Sequence, residues 1–139
     1  MPNRSMTGLA AAKVSSSRLL ASGIVETTLT GRAVGSTIVD IATDYRSLGR
    51  AGRPWLIRAE ETTSYAPEAV TQAVTSFSEL CAQHGLTRLV AVIKTPTVRM
   101  GAQVVSMSLR AAGSPLEILV VDSVEDAQRL LEGGPLEKA

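Results

Sequence analysis

Apolar positions recur along the chain at two spacings, and the spacing alternates. In "VSSSRLLASGIVETTLTGRAV" (residues 14–34) Val25, Thr27 and Leu29 alternate on one face, and the threonines favour extended backbone. This predicts two short strands around Gly23, with Gly31 closing the second. The period then changes. Ile38, Ile41, Ala42, Tyr45 and Leu48 share a helical stripe, with Ser36 as N-cap and Gly49 and Gly52 as stops. "PWLIRAE" predicts a strand from Pro54, and Thr62–Tyr65 a polar loop. Pro67 and Glu68 suit the first turn of a long helix. That helix carries Val70, Ala73, Val74, Phe77, Leu80, Cys81 and His84 at helical spacing, and Gly85 ends it. "RLVAVI" is continuously apolar, as a strand buried on both faces is. A helix from Val98 to Ala112, a strand "LEILVV" and a helix "VEDAQRLLEG" follow. Ser123 with Asp126 three residues on resembles an acidic capping box for the last helix.

The order is therefore β-β-α-β-α-β-α-β-α. Strands alternating with helices predict an α/β fold, a single mostly parallel sheet of about five strands with helices packed on it and right-handed crossovers. The pattern sets the domain at residues 14–133. Residues 1–13, small and Ala-rich without a period, are expected to form a disordered tail, and 134–139 a frayed end.

The helix from Val98 carries more apolar surface than a surface helix needs. Val98, Ala102, Val105, Leu109 and Ala112 form one stripe; Met100, Val104, Met107 and Ala111 form a second. The second stripe meets either neighbouring helices of the fold, a partner subunit or a hydrophobic ligand, and methionine suits adaptable surfaces. Just before it, "KTPTVR" sits at the carboxyl end of a strand, where open α/β sheets bind ligands. Lys94, Arg99 and a helix N-terminus there could hold an anion or a partner. Thr95 or Thr97 as an N-cap beside Pro96 also explains the same letters as a plain corner. Neither a dinucleotide-binding glycine fingerprint nor a Walker loop is present.

Composition narrows the function classes. The 139 residues are 45% hydrophobic but only 3% aromatic, with net charge +1, so neither stacking rings nor a basic footprint for nucleic acid is evident. No apolar run approaches the roughly 20 residues of a membrane span. One cysteine and one histidine exclude an internal disulfide and a Cys/His zinc cluster, and fit a reducing cytoplasm. No Ser or Asp is placed to make His84 a catalytic base, so it reads as structural, and Cys81 as packing. Glu60 and Glu61, as neighbours in a strand, would point to opposite faces and could not share a substrate. No cofactor or metal is expected.

The stretches "GIVETTLTGRAV", "RLVAVIKTPTVRMGAQ" and "LEILVVDSVEDAQRLLEG" resemble the STAS family, and within it the bacterial sporulation anti-sigma-factor-antagonist-like proteins. Their fold is close to the lipid-carrying Sec14/CRAL-TRIO domains. The resemblance spans about residues 14–133. It implies a non-enzymatic, cytoplasmic regulatory domain that binds a partner protein or itself as a homo-oligomer. The surface expected to do so joins the strand-end corner to the second stripe of the helix, through Lys94, Thr95, Thr97, Arg99, Met100, Val104, Met107 and Arg110. The alternative it implies is a carrier of a small hydrophobic molecule, in a pocket lined by Val, Leu and Met. An unrecognised enzyme is the third reading. Regulatory members carry a phosphorylated Ser in an Asp-Ser-Ser/Thr-Gly turn. Here the corresponding strand leads into Thr62-Thr63-Ser64-Tyr65, which keeps the hydroxyls but not that frame, so Thr62, Thr63 and Ser64 are the candidate phosphosites beside the reading of a plain helix-entry loop.

Overall fold

The computed structural model describes residues 15–49 and 52–132. The expected tail at 1–13 and frayed end at 134–139 lie outside the described residues. Among the described residues, five strands and four helices follow the predicted order: β1 (Ser15–Leu19), β2 (Val25–Ala33), α1 (Gly35–Leu48), β3 (Trp55–Tyr65), α2 (Pro67–His84), β4 (Arg88–Ile93), α3 (Pro96–Ala111), β5 (Glu117–Val121) and α4 (Val124–Glu132). They build one sheet in the order β1-β2-β3-β4-β5, with β1 antiparallel to β2 and every other pair parallel.

That order decides which face each helix takes. Each parallel strand is added on the same side of its predecessor. Right-handed crossovers in one direction put every connecting helix on one face of the sheet. So α1, α2 and α3 share a face, over Leu29, Ile57, Leu89, Ala91 and Ile93. Among the described residues only α4, which follows the last strand, takes the other face, with Ala127 over Leu56, Val90 and Val92. Beyond the reach of α4, that face is polar. Arg18 pairs with Glu26 at 2.7 Å and Arg58 with Glu60 at 2.9 Å, so the sheet can meet water there.

The main core is centred on Trp55. Its indole N–H donates to the Thr27 hydroxyl at 2.8 Å. Tyr45 lies against it at 4.7 Å between ring centroids, and Phe77 meets it edge-on at 5.4 Å. Tyr45 donates its hydroxyl to the Arg53 carbonyl, and burial pushes its pKa up to about 12.

Four local expectations need correction. Ser36 does not cap α1. The N-cap is Val34, whose N–H donates to the Thr37 hydroxyl at 3.1 Å. Gly31 does not end β2. It takes φ 74° inside the strand, where the register against β3 shifts, and pairing resumes through Ala33. Because β2 runs on, its partner does too. Thr62 to Tyr65 are strand, paired with Gly31 to Ala33, and not a loop. Finally, α3 begins at Pro96, with Thr95 as N-cap, two residues earlier than the apolar period indicates. The Ser123 cap is present as expected, its hydroxyl accepting from the Asp126 N–H at 3.1 Å.

Candidate functional site

The predicted partner-binding residues divide into two groups. Thr95 and Arg99 hold the structure together. Thr95 turns its hydroxyl away from its own helix and donates to the Thr62 carbonyl at 3.1 Å, fastening the β4–α3 corner to β3. Arg99 donates to the Ile93 carbonyl at 3.0 Å and to an Asp122 carboxylate oxygen at 2.6 Å. It therefore ties the start of α3 to the end of β5. The corner reading accounts for both residues.

Lys94, Thr97, Met100, Val104, Met107 and Arg110 are exposed. Met100 and Met107 are 61% and 66% accessible, and Val104 44%. The inner stripe of α3 explains why. Val105 and Leu109 are buried in the core, with Val98 and Ala102 against them, so the sheet already has its helix face. Among the described residues the second stripe meets no neighbouring helix. Thr97, Met100, Val104, Met107 and Ala111 follow one another at spacings of three, four, three and four, the seam spacing of a helix that packs along another helix. Arg110 and Gln103 border that seam as exposed polar groups. The seam is about 20 Å long at 1.5 Å per residue.

Glycine 101 marks a second feature. A Cβ there would lie 2.8 Å from the Tyr65 ring, so only glycine lets the ring settle against α3. Tyr65 and Gly101 form part of the wall of an apolar cavity of about 110 Å³ lying between the sheet and α1, α2 and α3. Leu29, Ile57, Phe77 and Val105 are among its other walls. Among the described residues no charged side chain lines it, and Met100 and Met107 do not reach it, against the expectation of methionine in such a pocket. Thr62 and Tyr65 bring the only side-chain oxygens, and Thr62 spends its hydroxyl on the Leu29 carbonyl at 3.1 Å. Hydrophobic periodicity could not have revealed this space. It depends on how three helices sit, and the one local signal was a glycine inside a helix.

The hydroxyls proposed for phosphorylation are also separated. Thr62 is 1% exposed and hydrogen-bonded, so a folded chain does not offer it to a kinase. Thr63 is exposed, with its hydroxyl 3.4 Å from the Gly31 carbonyl, and Ser64 is half-exposed, accepting from Arg32 at 3.3 Å. Elsewhere, Glu60 lies beside Arg58. The Arg58 hydrogen bond holds the Glu60 carboxyl below the usual carboxylate range, leaving it an ion-pair member and no proton donor at neutral pH. Among the described residues no cluster of His, Cys, Asp and Glu is arranged to hold a metal, and no helix is long and apolar enough to cross a membrane.

A five-stranded sheet with a single antiparallel edge, three helices on one face and one on the other, is the SpoIIAA-like fold. Two solved structures show the likeness. One is a protein of the DUF3478 family with a SpoIIAA-like fold from Shewanella loihica PV-4, 15% identical, with a TM-score of 0.55 over 84% of this chain and 93% of that one. The other is the anti-sigma factor antagonist SpoIIAA in its unphosphorylated form, also 15% identical, with a TM-score of 0.57 over 87% of this chain and 99% of that one. No protein-family model and no curated protein matches the sequence.

Proposed function

We propose that this chain is a non-enzymatic regulatory domain that binds a helix of another protein along the outer seam of α3. The observation that carries the reading is the seam itself. Met100, Val104 and Met107 are exposed at heptad spacing on a helix whose other apolar face is already used by the core. Methionine and valine would supply the buried area, with Arg110 and Gln103 at the rim. The likeness to an anti-sigma factor antagonist supports a role in protein–protein regulation. A second copy of the chain is one partner the seam could take. Lys94 and Thr97 extend the surface at its amino end.

Met107→Glu would bury a carboxylate in that interface without touching the core. Association with a protein partner, a second copy included, is expected to weaken by at least about tenfold, with the circular dichroism spectrum and melting temperature unchanged. Equal association in wild type and variant would rule out the seam. Regulation belongs to the same proposal. A phosphate on Thr63 or Ser64 would set a dianion beside Arg32, at the strand end from which α2 begins.

The cavity favours a second reading, the uptake of a small hydrophobic molecule. At about 110 Å³ and without a charged wall residue, it suits a molecule of a few carbon atoms and has no room for a two-chain phospholipid. Native mass spectrometry of the protein exposed to benzene or a short alkane tests this. A mass increment that denaturation removes would support it, and a bare chain at saturating hydrocarbon would exclude it.

A further inference from the structure

The two edges of the sheet are built differently. The β1 edge is mostly serine and carries Arg18, which bridges to Glu26 on β2. A polar, charged strand of that kind discourages pairing. The β5 edge reads Glu117, Ile118, Leu119, Val120, Val121, with no lysine, proline or bulge, and its four apolar residues are all partly exposed. Among the described residues β5 pairs only with β4, so its other side is open.

The hydrogen-bonding groups on that open side can be assigned. The Glu117 N–H donates to the Thr87 carbonyl at 2.9 Å, so Glu117 turns its backbone groups toward β4. Alternate residues of a strand turn the same way, so Leu119 and Val121 do too. Ile118 and Val120 therefore aim N–H and C=O outward. These two residues are symmetric about Leu119.

We propose that β5 is a strand-addition site whose occupant is β5 of a second copy, antiparallel and related by a two-fold axis through Leu119. The two sheets then become one. Ile118 faces the partner's Val120 and Val120 the partner's Ile118, each pair exchanging two N–H···O bonds, so all four outward donors find carbonyls. Leu119 meets the partner's Leu119 as a close, non-hydrogen-bonded pair. Glu117 falls opposite the partner's Val121, so no like charges meet, whereas a register centred on Glu117 would oppose two carboxylates. A second copy brings the same apolar run, Ile118 to Val121, to the edge, and its one carboxylate falls clear of the other. The surface is distinct from the α3 seam. The strip of α3 that borders the groove along β5 is the polar one, with Ser106 and Arg110.

Sedimentation equilibrium of the full chain tests this, with four variants. Val120→Pro removes an outward N–H that the fold does not use, and proline is tolerated at such edge positions. It deletes two of the four bonds of the dimer and is expected to weaken it by about tenfold or more, whereas Val120→Ala, which gives up the same packing against the core but keeps the N–H, is expected to keep the dimer. Leu119→Cys in a Cys81→Ser background is expected to give a covalent dimer on mild oxidation, because close antiparallel pairs match disulfide spacing. Met107→Glu should leave this dimer intact. A monomer at all concentrations, or a dimer indifferent to Val120→Pro and uncrosslinked through position 119, overturns the proposal. A dimer lost in Met107→Glu but kept in Val120→Pro assigns self-association to the α3 seam instead. Dimerisation that appears only when residues 133–139 are removed assigns the edge to that segment and equally overturns it.

Discussion

Tyr45 shows how one side chain links the core to pH. Its ring lies against Trp55 in the centre of the molecule, while its hydroxyl reaches the Arg53 carbonyl. Burial disfavours the phenolate, so the folded pKa rises from 10.0 to about 12. The folded state then holds the proton more tightly than the unfolded state. The stabilisation is whole below pH 10 and is lost as pH climbs from 10 through 12. Tyr45→Phe removes both the hydrogen bond and the ionisable group. It should cost about 1 kcal/mol at pH 7 in urea titrations and flatten the loss of stability between pH 10 and 12. An unchanged alkaline profile would mean that Tyr45 does not control it. Tyr45 and Phe77 were legible as core from helical spacing alone. The ring of Tyr65 against Gly101 was not, because those residues come from a strand and a helix far apart in sequence, and only the fold brings them together.

Secondary elements were legible wherever apolar period or capping chemistry was strong, and misread where pairing overrode both. The run Thr62 to Tyr65 has no apolar alternation, so its sequence suggests a loop. It is strand because β2 continues past Gly31 as a bulge and offers it a partner. Thr95 looks like a helix cap, yet its hydroxyl serves β3. Arg99 looks like a site residue, yet it joins two elements. Its guanidinium spans the end of β4 and the start of the β5–α4 turn. Arg99→Ala removes both contacts, one of them to a largely exposed carboxylate, and should lower stability by about 1 kcal/mol. Amide hydrogen exchange should rise first at the amino end of α3 and around Ser123, while the seam from Met100 to Met107 stays helical. A loss of protection spread over the whole sheet would show that the contact matters more globally than this geometry implies.

The molecule as a whole carries an imbalance that follows from its topology. Three crossovers in one direction load one face of the sheet with α1, α2 and α3, and among the described residues only α4 covers the other. Three helices over a short sheet must share the same layer of side chains. Several of the inward positions are alanine or glycine: Ala69, Ala73, Ala91, Gly101 and Ala102. The space they leave is the cavity of about 110 Å³. At roughly 24 cal/mol per Å³, an empty volume of that size withholds on the order of 2–3 kcal/mol of packing energy. Ala73→Leu projects from α2 into it with little loss of helix propensity. Where the space is empty, the variant should raise the urea midpoint, with a gain of about 1–2 kcal/mol and an unchanged slope. Where it normally holds a small hydrocarbon, the same variant should abolish the ligand-induced rise in melting temperature that wild type shows. A variant destabilised by 1 kcal/mol or more without ligand would mean that the walls cannot give and the volume is not fillable by a side chain. The α3 seam lies on the far side of its helix from this space, so Met107→Glu should leave the cavity measurements untouched, and Ala73→Leu should leave association untouched.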